Sequence, residues 1–161
     1  MNKKLVCRKL ALVAVAAVCS LAFSGCEGDY AVPITSAPTR KIDQRLLGNW
    51  VSKDGSDKIK VRNSDDSIFI VSYNGDLYRA FHSDIAKTFF ISAQDIESSG
   101  RKYAYLAYKL SDDGKQLELR GVNTELIPEA TMTSSAVQRL LNTNLTSREL
   151  FRDEAQFVRE K

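Results

Sequence analysis

The sequence predicts a mainly β domain: an antiparallel up-and-down sheet curled into a small barrel, with one or two C-terminal helices packed on it. Three observations lead there. From Leu46 onward, apolar and polar residues alternate with a period of two, the pattern of strands with one buried face. Turn-forming clusters separate these runs at hairpin spacing. After Pro128 the apolar period lengthens to that of a helix.

Taken in order, Gly48-Asn49-Trp50 opens the first strand after an amphipathic lead-in at 42–47. In 57–63, Ile59 and Val61 alternate with Lys58, Lys60 and Arg62, and Asn63-Ser64-Asp65-Asp66 supplies a turn. Residues 67–73 (SIFIVSY) are rich in β-branched and aromatic side chains, which suit a pleated surface. Asn74-Gly75 is the strongest hairpin signal, because both central residues of a type I′ turn need positive φ. It joins 67–73 to a strand at 76–82. Further strands are expected at 87–93, 101–110 and 115–122, the last two joined by the turn Ser111-Asp112-Asp113-Gly114.

Ser134 or Ser135 caps a helix whose apolar stripe is Val137, Leu140 and Leu141. Thr146 with Glu149 three residues on resembles a capping box for a short second helical turn, and 155–159 around Phe157 reads as a closing strand. Seven or eight strands in hairpin order favour barrel closure, which removes exposed edges. An open, half-closed sheet packed on the helix is the structural rival.

The first nine residues carry Lys3, Lys4, Arg8 and Lys9 without an acid, and an apolar run from Leu10 to Phe23 follows. A membrane-spanning helix needs roughly 20 apolar residues, so this shorter run reads as the core of an export signal. It ends in Leu21-Ala22-Phe23-Ser24-Gly25-Cys26, which resembles the lipobox of bacterial lipoproteins, with Phe23 in place of the usual Leu. The resemblance implies cleavage between Gly25 and Cys26. It also implies a diacylglycerol and an N-acyl chain on Cys26, and a bacterial envelope location. Glu27 rather than Asp after the lipidated Cys implies the outer membrane, facing the periplasm. The expected organisation is a signal at 1–25, the lipidated Cys and a flexible Pro-containing tether at 26–41, and the barrel domain at 42–161.

Discarding the signal removes four basic residues from the 23, leaving 19 against 20 acidic residues and a side-chain charge of −1. The basic balance of the whole chain therefore gives no support for a nucleic-acid partner. Cys7 and Cys19 leave with the signal and Cys26 carries lipid, so no cysteine remains for a disulfide. Stability has to come from an apolar core.

Catalytic and metal chemistry finds little footing. His82, the only histidine, stands in His82-Ser83-Asp84 at a strand end, where neighbouring side chains point to opposite faces. That tripeptide cannot form a triad, and a strand-end His is expected at the surface. Asp65-Asp66 and Asp112-Asp113 sit in turns, where Asp bonds its own backbone. No metal site and no catalytic residue is expected, nor any cofactor beyond the acyl chains of Cys26.

Gly48-Asn49-Trp50 resembles the G-x-W signature of lipocalins and lipocalin-like calycin barrels, whose Trp seals the closed end and whose late helix packs outside. The resemblance implies a barrel-lining or ligand role for Trp50. Aromatics crowd the central strands; one parity, Phe90 with Tyr103 and Tyr105, is expected to line the cavity, while Phe89 and Tyr108 cover the outside under the helix. Ordinary two-sided packing is the plainer account. The expected function is non-enzymatic: a membrane-anchored domain binding an apolar small molecule. The alternative is an interaction, assembly or inhibitor module with an envelope protein as partner.

Overall fold

Alternation becomes strand structure close to where the residues place it. The computed structural model describes residues 30–128, 131 and 133–160. It contains β1 (Gly48–Ser52), β2 (Lys58–Asn63), β3 (Ile68–Tyr73), β4 (Asp76–His82), β5 (Phe90–Asp95), β6 (Tyr103–Leu110), β7 (Gln116–Val122) and β8 (Phe151–Arg159). Each strand pairs antiparallel with the next, and β8 returns to β1 through Trp50↔Arg159, Val51↔Val158 and Ser52↔Phe157. The barrel is closed, so no strand edge stays open. Asn74 and Gly75 both have positive φ, 50° and 115°, as their hairpin requires.

Two boundaries differ most from expectation. β5 starts at Phe90 because Ile85 and Thr88 close a small bridge around Ala86, whose φ is +52°. β8 begins at Phe151 and carries a bulge opposite Arg120/Gly121, with Asp153 as the extra residue at φ +52°. Its exposed polar stretch Arg152-Asp153-Glu154 hides the alternation.

The caps move by one residue. Helix α1 (Ser134–Asn144) is capped by Thr133, which accepts from the Ala136 N–H, while Ser134 donates to Pro33 O at 2.7 Å. Ser147, not Thr146, caps the 3-10 turn Arg148–Leu150, accepting from Glu149 N–H at 3.2 Å.

The described apolar residues form two cores. One fills the floor and walls of the barrel, with Trp50, Phe69, Ile91, Leu117 and Phe157 among its members. The other lies outside, where Phe90, Tyr105, Ala107 and Val122 of the sheet meet Val137 and Leu141 of α1. Because β5 and β6 are covered on both faces, their sequences read as nearly continuous apolar runs.

The segment expected to be a flexible tether is corrected from Tyr30 onward; the signal and residues 26–29 lie outside the described residues. Residues 30–40 form an ordered arm along the outside of the barrel. Tyr30 pairs with Tyr103, and Ile34, fully buried, donates its N–H to Ser92 Oγ at 3.0 Å. Thr35 Oγ1 donates to Ser83 Oγ, which shares a 2.8 Å hydrogen bond with Ser92 Oγ. Thr39 N–H then reaches His82 O, and Arg40 Nε donates to Asp84 Oδ2 at 2.6 Å.

The signal missed in the sequence is that small polar Ser83 and Ser92 stand on an otherwise apolar outer face, where they receive a backbone. Ser92→Ala leaves buried Ile34 N–H without its acceptor and is expected to lower unfolding free energy by about 1–3 kcal/mol. Urea unfolding checks this, and an unchanged midpoint would mean that the arm is not held.

Candidate functional site

The floor of the barrel is built by the lead-in. Asp43 caps the 3-10 turn Gln44–Leu46, accepting from Arg45 N–H at 3.0 Å, and this turn inserts Leu46 beneath the sheet. Trp50, 1% exposed, donates its indole N–H to Leu46 O at 2.9 Å. The Arg159 guanidinium lies 4.3 Å from the Trp50 ring centre and donates to Leu47 O at 2.7 Å, to Gly114 O at 3.0 Å and to Arg45 O. One arginine thus ties three chain segments across the aromatic ring. Gly48 has φ +137°, which favours glycine, and a Cβ there would meet Arg159 Nη1 at 2.5 Å and push the guanidinium aside.

Above this floor is a cavity of about 90 Å³, walled chiefly by aliphatic side chains, including Val61, Ile91, Leu106 and Leu117. Asp153, on the β8 bulge, is the one charged residue among those lining it. Phe69, Ile91 and Leu117 are buried, whereas Tyr73, Leu106, Leu119 and Ala155 also face the cavity and are only half-buried. The lumen is therefore open to water. It opens toward the end that carries the β1–β2, β3–β4 and β5–β6 connections, away from the lead-in. At that rim Tyr73 donates its hydroxyl to Asp57 Oδ1 at 3.1 Å.

The room comes from small residues in register. Ala80 stands opposite Ala93, and Ala93 opposite Ala104, giving an inward row of three alanines across β4, β5 and β6. Ala93 and Ala104 both line the cavity.

The expected parity of the aromatics is reversed. Phe90, Tyr105 and Tyr103 point outward into the core under α1 and the arm, where Tyr30 stacks on Tyr105 at 4.1 Å. Tyr108 points inward, and Phe89, 49% exposed, lies at the floor end beside Arg40 rather than under the helix. Trp50 packs the floor without lining the cavity. Parity could not be decided from β5 and β6 themselves, because both of their faces are apolar. The three alanines were the usable signal.

His82 is also corrected from the surface to the interior: it is fully buried, with its ring centre 5.5 Å from that of Phe69 and 5.6 Å from that of Tyr108. Its Nε2 accepts from Asp43 N–H at 3.4 Å, and Nδ1 has no hydrogen-bond partner among the described residues. Burial, reinforced by the Arg40 charge and opposed by Asp43, lowers its pKa to about 4. Burial likewise pushes the Tyr108 hydroxyl up to about 12, although Arg40 donates to it.

As expected for neighbours on a strand, the side chains of His82, Ser83 and Asp84 diverge. His82 enters the floor, Ser83 joins the Ser–Thr network of the arm, and Asp84 binds Arg40. Asp65 and Asp113 serve their turns: Asp65 accepts from Ser67 N–H at 2.7 Å and Asp113 from Lys115 N–H at 3.0 Å. Among the described residues, no three His, Cys, Asp or Glu side chains are grouped to hold a metal ion.

Compared with protein-family models, curated proteins and solved structures, the chain has no match in any of the three. A functional reading rests on the lumen and on the residues of the N-terminal segment.

Proposed function

We propose that the chain is a lipid-anchored lipoprotein of the bacterial outer membrane, facing the periplasm, whose lipocalin-like barrel binds a slender apolar ligand. The observation that carries the reading is the water-open lumen with nearly uniform apolar walls. Water held there finds few hydrogen-bond partners, so an apolar occupant that displaces it gains roughly 25 cal/mol for each Å² removed from solvent.

Size narrows the ligand. About 90 Å³ is less than the ~150 Å³ that holds benzene and far below the ~300–1,000 Å³ of sites that enclose drug-sized molecules. A single alkyl chain end fits, with the polar end left at the mouth beside Tyr73 and Asp153. The Asp153 carboxylate disfavours an anionic headgroup close to it, so a neutral or zwitterionic head is preferred. The lipobox-like segment supports the anchor: Cys26 carries the acyl chains, which add roughly 0.8 kcal/mol of membrane affinity per buried methylene.

Calorimetric titration of the mature Cys26→Ser protein with a monoacylglycerol tests the lumen. Saturable, equimolar binding is expected. Ala104→Phe, which fills the alanine row, is expected to weaken it at least about tenfold, or by about 1.4 kcal/mol, without lowering the urea midpoint. Binding that ignores Ala104→Phe would reject the lumen as the site. Labelled palmitate is expected in the wild-type chain and not in Cys26→Ser, which tests the anchor separately.

A further inference from the structure

We propose that the N-terminal arm holds the mouth of the barrel against the bilayer, so that the lumen opens toward the lipid surface and takes its acyl chain from there. This rests on the lipid-anchor reading above and adds an orientation and a source of ligand.

The arm has a direction. It begins at Tyr30, whose N–H donates to Tyr103 O at 3.2 Å while Tyr103 N–H donates back to Tyr30 O at 2.8 Å. Tyr103 is the first residue of β6, at the mouth. From there the arm descends to the floor, where Thr39 N–H meets His82 O and Ile42 N–H meets Asp66 O. The chain therefore enters the domain at the open end.

The leash is short. Only Glu27, Gly28 and Asp29 separate Cys26 from Tyr30, so the acylated residue lies within roughly 14 Å of the Tyr30 Cα even with the chain fully extended. The floor is the length of β6 further away, about 23 Å at ~3.3 Å per residue. An anchor this close to the mouth brings the mouth, not the floor, to the membrane.

The surface at that end suits contact with lipid. Ile96, an exposed large apolar residue, projects from the loop between β5 and β6. In that loop, residues 96–102, Glu97 stands against Arg101 and Lys102, so its side-chain charge is +1 and does not repel anionic headgroups. An apolar lumen opening at the same end gives an acyl chain a path out of the bilayer that crosses little water.

The test uses the full-length, acylated protein reconstituted in vesicles of phosphatidylethanolamine and phosphatidylglycerol. An environment-sensitive fluorophore is placed by Ile96→Cys at the mouth or Asp112→Cys at the floor, and brominated lipid serves as quencher. Strong quenching at 96 and none at 112 is expected. A flexible Gly/Ser insert of about 20 residues between Gly28 and Asp29 should abolish the contrast.

Equal quenching at both positions, stronger quenching at 112, or a contrast that survives the insert would overturn the proposal. Lys102→Cys and Ser64→Cys repeat the comparison should either first label disturb folding. Palmitate incorporation is scored on the same samples. Its absence would overturn the anchor and the orientation together, whereas acylated protein with equal quenching overturns the orientation alone.

Discussion

Trp50→Ala is expected to lower the unfolding free energy by about 3–5 kcal/mol, the range for deleting a large buried aromatic. The whole domain has roughly 5–15 kcal/mol to lose. The indole is buried at the floor, and its N–H is bonded to Leu46 O. Its loss also strands Arg159, whose guanidinium rests on the ring while bonding to Leu47 O and Gly114 O. Lead-in, β1, β8 and the β6–β7 turn should loosen together. Trp50→Phe retains most of the apolar area but leaves Leu46 O without its donor, so a smaller loss of about 1–3 kcal/mol is expected. Urea unfolding of the three proteins measures both effects, and a Trp50→Ala loss under about 1 kcal/mol would mean that the floor is not assembled around this residue.

Acid sensitivity should follow from His82. Its pKa is lowered by burial first and by Arg40 second, from 6.5 to about 4. The unfolded chain therefore takes up a proton at a higher pH than the folded one. The stability contributed by keeping the imidazole neutral is fully present above about pH 6.5 and is lost as the pH falls toward about 4. A shift of this size corresponds to roughly 3 kcal/mol.

The loss should appear before the lowered carboxylates, such as Asp54 at about 2, come into play. His82→Gln keeps an acceptor for Asp43 N–H and removes the titration. Its unfolding free energy is expected to be nearly flat between pH 6.5 and 4, where the wild-type chain declines. Parallel profiles for the two proteins would show that this histidine is not the sensor.

The fold could be read from local signals because hairpins are local. Asn74-Gly75, the aspartate turns and the alternation of Ile59/Val61 and Leu117/Leu119 each act within a few residues, and all point to the same meander. Closure was expected from the number of strands and the need to hide their edges, but the pairing that makes it is not a local signal. It depends on β8 meeting β1, and the polar bulge at Asp153 obscures half of that strand.

The site was harder still. Side-chain parity in β5 and β6 is decided by what covers each face, and the outer cover comes from two distant segments, the arm and α1. Composition made residues 30–40 look like a linker because Pro33 and Pro38 break any regular period. Yet Ile34 and the Ser83–Ser92 pair, 49 residues or more away in sequence, fit together as a buried anchor. Arg159, near the end of the described chain, showed nothing of its place above Trp50 until the barrel closed.

The lumen is probed most directly by a spin-labelled monoacylglycerol added to protein carrying isotope-labelled alanine methyl groups. Ala93 and Ala104 line the cavity, whereas Ala107, equally buried, faces the outer core. At equimolar ligand the methyl signals of Ala93 and Ala104 should broaden beyond detection while that of Ala107 persists. Broadening centred on Ala107, or none at any of the three, would contradict an acyl chain in the barrel.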